Sequence, residues 1–327
     1  MGEPALFELR RRTFDTPHFR GIEFIEAEAK TILNKINGNY LPFNWTINPY
    51  RGCSHACSFC FARVTHTYMD LDPGKDWATK VVVKVNAPDL LRKELRAKRW
   101  KGESIAMGTS TDPYQRAEGK YKLMPRIIET LTEFRNPFSI LTRGTLLLRD
   151  LPLLEEAAAV TDVSTAFSIP TLDEDVWRRS EPGTPHPRKR LEAVAKLNEA
   201  GIPCGVMIAP ILPGISDGPD QIRAVVEAAI DAGATHVSPI WLHLRPVIKD
   251  VYMMWLEENY PDLVPRYMAM YAGSAYGLKS DREALAKLVR GIANRRGGPR
   301  GRPRLKRPPS HAAQEIARLK AEQLSLI

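Results

Sequence analysis

The stretch Asn48-Pro49-Tyr50-Arg51-Gly52-Cys53-Ser54-His55-Ala56-Cys57-Ser58-Phe59-Cys60-Phe61-Ala62-Arg63 decides the reading of this 327-residue chain. Three of its four cysteines fall here within eight positions, spaced C-x3-C-x2-C. Thiolates are soft ligands that suit iron–sulfur clusters and zinc, and three on one short loop can converge on one metal centre. The count of three is the informative part. A structural zinc site closes with four protein ligands, and an electron-transfer 4Fe-4S cluster takes four cysteines. Three thiolates leave one iron without a protein ligand, open to a small molecule. A zinc site would have to recruit His55, His66 or Cys204, and a second ligand pair at short spacing is missing. Disulfides fit worse, because three crowded cysteines pair poorly, leave one over and follow no apolar signal segment.

Working outward, Trp45 to Asn48 reads as a short strand feeding the loop, with Gly52 permitting close approach to a cluster. Beyond the loop, Lys80 to Val85 is a strand-like run and Pro88 to Trp100 has helical spacing. Short apolar strands are then predicted at 104–108, 138–141, 163–169, 203–212 and 236–241. Between them lie amphipathic helices at about 124–134, 150–160, 188–200 and 219–232. This alternation predicts parallel β/α units, six with the cluster strand included. In such folds chemistry gathers at the C-terminal strand ends. There the sequence places Gly108 to Asp112, Thr142 and Arg143, Ser164 and Ser168 along the fourth strand, and His243 with Arg245. Each alone is a weak signal, since polar residues at strand ends often only cap the next helix. Their joint placement around one mouth carries the weight. Asp112 is read either as a ligand contact or as the cap of a turn before Pro113. Glu181 and Arg190 are read either as a pair near the mouth or as a surface ion pair, and Cys204 as a core thiol at the far end of its strand.

The three-cysteine loop, with Phe59 before its last cysteine, resembles the cluster loop of the radical S-adenosylmethionine (SAM) superfamily. Together with Gly108-Thr109-Ser110-Thr111-Asp112-Pro113-Tyr114-Gln115 it resembles the branch that includes spore photoproduct lyase and its bacterial relatives, over roughly residues 20 to 270. The resemblance implies an α/β fold with a partial (βα)6 TIM-like barrel over 44–245. An N-terminal arm at 1–43, helices packed on the barrel at 246–294 and a basic tail at 295–327 complete the expected organisation. It further implies a 4Fe-4S cluster held by Cys53, Cys57 and Cys60, and SAM chelating the open iron. Reductive cleavage of SAM then yields a 5′-deoxyadenosyl radical that abstracts hydrogen from a substrate, with a ferredoxin or flavodoxin as electron donor. By the same resemblance Phe59 packs on the adenine side, and Gly108, Thr109, Ser110 and Thr111 meet the SAM amino group. Arg143 stands where the lyase has a lysine near the SAM carboxylate, and Ser168 is the candidate ribose contact. The chain departs from the lyase at Thr109, which takes the place of the cysteine that returns a hydrogen atom. Phe59 and Phe61 likewise replace two tyrosines. These departures argue against copying the lyase's reaction.

Composition sets the frame. Hydrophobic residues make up 43% and charged residues 26%, ordinary for a globular protein. No apolar run approaches the ~20 residues needed to span a bilayer, so the cytoplasm is the expected location. Of the formal net charge of +9, seven positive charges lie between Arg295 and Arg307 with no acid among them. The body is therefore nearly neutral. Gly, Pro and Arg dominate that segment, which predicts a tail unable to pack a core and a candidate contact to nucleic acid. Two function classes remain: a radical SAM enzyme acting on DNA or another macromolecule, and a non-catalytic iron–sulfur protein that binds nucleic acid.

Overall fold

The computed structural model describes residues 10–36, 41 and 43–298. Ahead of the cysteine loop come Arg10–Arg12 (β1), Glu23–Ala27 (β2) and Leu33–Lys35 (β3). Trp45–Ile47 (β4) and Tyr50–Arg51 (β5) lead into the loop. A 3-10 helix over Phe61–Met69 leaves it, and Lys80–Lys84 (β6) follows. The chain then alternates: Ala87–Leu95 (α1), Ile105–Met107 (β7), Arg116–Tyr121 (α2), Leu123–Glu133 (α3), Phe138–Thr142 (β8), Leu151–Val160 (α4) and Val163–Ser168 (β9). Glu174–Ser180 (α5), Pro187–Glu199 (α6), Cys204–Ile211 (β10), Pro219–Asp231 (α7) and Val237–Trp241 (β11) complete this region. Pro246–Asn259 (α8), Val264–Met270 (α9) and Lys279–Arg295 (α10) end it.

The main sheet has the order β11-β10-β9-β8-β7-β4-β3. The six strands from β4 to β11 pair in parallel, and β3 adds an antiparallel edge on β4. β3 and β11 do not pair with each other, so the α/β fold is a partial barrel of six parallel strands. These strands read as apolar runs because helices cover them: Ile105, Ile140, Phe167, Val206 and Ile208 are all buried. Proline opens the first turn of α1, α4, α6, α7 and α8, where its missing N–H costs nothing. α5 starts on Asp173, whose carboxylate accepts from the N–H groups of Asp175 and Val176.

A second sheet, β1-β2-β6-β5, lies outside the barrel. β2 runs parallel to β6, whose Val81, Val82 and Val83 are buried, and β5 pairs antiparallel with β6. Residues read as an arm therefore build the support of the cysteine loop, and Lys80–Lys84 belongs to that support. On the opposite side, α8 presents Ile248, Tyr252 and Leu256 one turn apart. They join Tyr267, Tyr271, Leu242 and Leu244 in an apolar core that also takes in Cys57 and Phe59. α10 buries Leu285, Val289 and Ile292 in the main core. No helix among the described residues is long and apolar enough to cross a membrane. Most of the predicted basic tail lies outside the described residues.

Candidate active site

The cysteine loop is held by backbone contacts on three sides. Gly52 takes φ +82°, and a Cβ there would lie 2.6 Å from the Lys80 carbonyl oxygen, so only glycine fits against β6. Cys53 N donates to Trp77 O at 3.0 Å, Ser58 N to Ser180 O at 2.9 Å and Gly183 N to His55 O at 3.0 Å. Gln115 clamps the loop from the motif after β7. Its Nε2 donates to Gly52 O at 2.8 Å, and its Oε1 accepts from Ser54 N at 3.0 Å. Arg63, almost fully buried, gives Nε and Nη2 to the Cys57 carbonyl. None of these clamps required a distinctive spacing, which is why Gln115, Arg63 and Asn48 carried no assigned role from sequence.

The loop brings Cys53, Cys57 and Cys60 to one cavity of about 70 Å³, lined also by His55, Trp77 and the strand ends Gly108 to Asp112 and Leu141 to Arg143. Burial pushes all three thiols up, Cys57 to about 12 and Cys53 well above the usual range. Arg143 opposes the shift at Cys57, whereas Glu181 and Cys60 add to it. Cys53 and Cys57 are buried and Cys60 is half-buried; thiols so placed stay neutral until a cation compensates the thiolates, and the irons of a cluster are such a cation. Among the described residues, no three His, Cys, Asp or Glu side chains surround one point as a single ion requires. The thiols line a cavity instead, and a cubane with one iron per thiolate needs that arrangement. The donor set fits a 4Fe-4S cluster.

Of the zinc alternatives only His55 lines the thiol cavity, and its Nδ1 faces Asp112. His55 Nδ1 lies 3.3 Å from Asp112 Oδ2, His66 Nε2 is 3.1 Å from Lys80 O, and Cys204 is sealed in the main core at the start of β10.

A second cavity, of about 160 Å³, adjoins the first. The two share Cys57, Cys60, Phe61, Gly108, Leu141 and Arg143. Phe59, Ser168, Met207, Pro210 and His243 line only the larger one, whereas Thr109, Ser110 and Thr111 line only the smaller. The three cysteines, Phe59, Gly108 to Asp112, Thr142, Arg143, Ser168 and His243 thus line one of two adjoining spaces, whereas Ser164 and Arg245, also placed at the mouth by sequence, line neither. Gly108 takes φ +92° beside Leu141, whose carbonyl oxygen a Cβ would meet at 1.8 Å. Asn48 Oδ1 accepts from Ser110 N at 3.1 Å and lies 3.4 Å from the Thr109 hydroxyl. The Thr111 hydroxyl donates to Gly52 O at 2.9 Å, so Thr111 holds the loop from within the cavity wall.

Asp112 is a bracket between strand ends. Its carboxylate accepts from Thr142 Oγ1 at 2.6 Å, Arg143 N at 2.7 Å and Tyr114 N at 2.9 Å. Burial acts to raise its pKa, but His55, the Thr142 hydroxyl and the Arg143 N–H outweigh that and hold it at about 2. Asp112 caps the turn before Tyr114, and it also lines the smaller cavity.

Glu181 and Arg190 are not a surface pair. Both side chains are fully buried, joined at 2.8 Å, and Glu181 also accepts from Arg143 Nε at 2.6 Å. Arg190 spends its other donors on Ser168 O, Pro185 O and Thr184 Oγ1. Charge alone could not reveal this depth, because the turn carrying Glu181 folds back over the loop. Gly183 packs there so closely that a Cβ would lie 2.1 Å from Ser54 O. Arg143 completes the wall with Nη2 on Ala209 O at 2.8 Å and its guanidinium 5.5 Å from the Phe59 ring centroid.

A family model described as the Radical SAM superfamily matches residues 47–236. An uncharacterised protein of Mycobacterium tuberculosis is 47% identical over 279 residues, covering 85% of this chain and 82% of its own length. One from Methanocaldococcus jannaschii is 34% identical over 198 residues, covering 60% and 70%. Among solved structures, spore photoproduct lyase complexed with dinucleoside spore photoproduct is similar at a TM-score of 0.63 and 16% identity, covering 83% and 79%. A mutant of that lyase with bound AdoMet and the same dinucleoside reaches 0.64 at 17%, covering 88% and 85%. At such identities the likeness is one of fold.

Proposed function

The chain belongs to the radical SAM superfamily, and from that membership we propose that it abstracts a hydrogen atom from a substrate seated in the larger cavity. It is a radical SAM enzyme, and its cofactors are a 4Fe-4S cluster and SAM. Bound together and reduced by one electron from a donor such as a ferredoxin or flavodoxin, they supply a 5′-deoxyadenosyl radical.

The protein's own part is to bind, orient and keep water out. Cys53, Cys57 and Cys60 would hold the cluster, with Gly52 and Gln115 fixing their loop. Gly108, Thr109, Ser110 and Thr111 form the wall facing the thiols. Arg143 Nη1 has no partner among the described residues and is the donor available to a carboxylate. Phe59 and Ser168 offer an apolar face and a hydroxyl on the far side, for the adenosyl group. One observation carries the reading: the thiol cavity and the larger cavity share Cys57, Cys60, Gly108 and Arg143, so a molecule touching the cluster also faces the second space.

The substrate is read as DNA or another macromolecule, supported by the fold likeness to a lyase solved with a dinucleoside lesion. Thr109 limits that analogy. Its hydroxyl is a poor hydrogen-atom donor, so the lyase's own route of hydrogen return does not carry over. Anaerobic reconstitution with iron and sulfide, reduction in the presence of SAM and an assay for 5′-deoxyadenosine test the proposal. Formation of 5′-deoxyadenosine supports it; a cluster with no SAM cleavage would favour a non-catalytic iron–sulfur protein that binds nucleic acid.

A further inference from the structure

Three aromatic rings form a file at the mouth of the larger cavity, exposed at both ends with His243 half-buried between them. Phe61 follows Cys60 directly, remains 46% exposed, and its centroid lies 5.6 Å from that of His243. His243 stacks on Tyr276 at 5.7 Å and 28°, and Tyr276 is 48% exposed. Arg282 ends the file, its guanidinium carbon 5.8 Å from the Tyr276 centroid. Phe61 and His243 line the same cavity as Cys57, Cys60 and Arg143.

The backbone fixes this arrangement. His243 and Tyr276 are partners in an antiparallel bridge, and Leu244 N donates to Ala275 O at 2.7 Å. A Cβ on Gly277 would lie 2.2 Å from Trp241 Nε1, so the segment carrying Tyr276 is pressed against the end of β11. Leu242 and Leu244 are buried on either side of His243, which leaves the histidine on the opposite, open face. Burial and then Arg245 push His243 below its usual range, which favours the uncharged ring.

Two exposed rings joined through a half-buried third, beside a cavity, mark a place where something binds. Arg245 and Arg282 stand exposed beside these rings. The carboxylates next to Arg282 are engaged elsewhere, Glu283 with Lys279 at 3.7 Å and Asp281 with Ser280 Oγ at 3.3 Å. Flat apolar rings interleaved with guanidinium groups suit a ligand that is itself flat rings joined by phosphates. An aromatic peptide would use the rings and leave the two cations without a counterpart.

We infer that Phe61, His243 and Tyr276, flanked by Arg245 and Arg282, form a stacking subsite for the unpaired bases of a nucleic-acid strand at the entrance to the cavity. The inference rests on the proposed function only in taking that cavity as the substrate's place; the binding itself requires no turnover.

The test compares two labelled oligonucleotides of equal length, oligothymidylate and an abasic strand, binding to the reconstituted full chain by fluorescence anisotropy. The phosphates are matched, so any difference reports the bases. Oligothymidylate is expected to bind about 5- to 150-fold more tightly, the range for one stacked base. That ratio should persist as salt rises, because stacking releases no counterions. It should collapse in Tyr276→Ala and survive in Tyr276→Phe. Equal affinity for the two strands overturns the inference without any variant. An unchanged ratio in Tyr276→Ala overturns it as well, as does binding of a tryptophan-containing peptide with no preference between the strands. The 5′-deoxyadenosine assay is separate: a protein that cleaves SAM but shows no base preference loses the subsite and keeps its enzyme reading.

Discussion

Glu181 holds Arg143 through a 2.6 Å contact from Nε to Oε1, and its second oxygen holds Arg190 at 2.8 Å. One buried carboxylate thereby serves two guanidinium groups, and both cations keep its pKa low against the opposing effect of burial. Arg143 reaches the cavity wall as a positioned donor and not as a mobile side chain. Replacing Glu181 by Gln would leave two neighbouring cations uncompensated. The expected cost is ~3–5 kcal/mol of stability, the scale for breaking a buried pair. Chemical denaturation measures it, and a loss under 1 kcal/mol would mean that water screens the triad.

Arg143→Ala removes the donor itself. SAM affinity should fall by ~1.5–3 kcal/mol, as for a hydrogen bond to a charged group. The cluster should still assemble, because the Arg143 side chain bonds Glu181 and Ala209 and none of the clamps that hold the cysteine loop, although its charge helps lower the Cys57 thiol. Equilibrium dialysis on the reconstituted variant decides the matter; an unchanged affinity would leave Arg143 only as the partner of Glu181 and Ala209.

The three-ligand argument predicts different fates for two cysteines. Cys57→Ala should abolish the iron–sulfur absorbance. Cys204→Ala should keep it, since Cys204 sits in the main core away from the cavity. Cutting back a thiol to a methyl there is expected to cost about 1 kcal/mol as a small cavity. Loss of iron from the Cys204 variant would contradict three-cysteine ligation.

The main sheet was legible because covered parallel strands are apolar on both faces, so β7 to β11 stand out as short runs between amphipathic helices. The cluster loop was legible because cysteine spacing is chemistry written locally. What stayed hidden depends on contacts distant in sequence. β6 reads as a strand, yet its parallel partner β2 lies more than fifty residues earlier, so no local pattern could place it outside the barrel. Glu181 and Arg190 look like any surface pair until the turn at Gly183 closes over His55. The six residues of α2 are too short for helical periodicity to register. Phe61, His243 and Tyr276 are far apart in sequence, and only the bridge at the end of β11 brings them into line.

Asp112 predicts an acid-side dependence of stability. Its carboxyl titrates at about 2 in the fold against an ordinary value of 3.8. A depressed carboxylate contributes stability that is complete above the unfolded value and disappears as pH falls through the folded one. The window is therefore from about pH 4 down to about pH 2, and the amount is roughly 2 kcal/mol at 1.36 kcal/mol per unit. Urea denaturation of the cluster-free protein across that window should show the slope, and Asp112→Asn should flatten it. An equal slope in the variant would assign the acid sensitivity to other carboxylates.

The basic segment yields the last prediction, with one revision from the structure. Arg296 lies 3.3 Å from Asp231 and 3.8 Å from Glu227, so its charge is engaged with α7. Arg295 closes α10 and stays with the body; Arg300, Arg302, Arg304, Lys306 and Arg307 lie outside the described residues and are the tail's candidates for polyanion contact. Counterion release on duplex DNA lowers log affinity by about 0.9 per decade of salt for each phosphate neutralised. Five engaged charges contribute a slope of about −4.5, and deleting residues 299–327 should remove that contribution, leaving only the shallow one of Arg245 and Arg282. This sequence-blind attraction differs from the base preference expected at the cavity mouth, which salt should leave standing. A truncated chain that keeps both affinity and slope would place the phosphate contact on the nearly neutral body, where Arg245 and Arg282 beside the aromatic file are the first cations to replace.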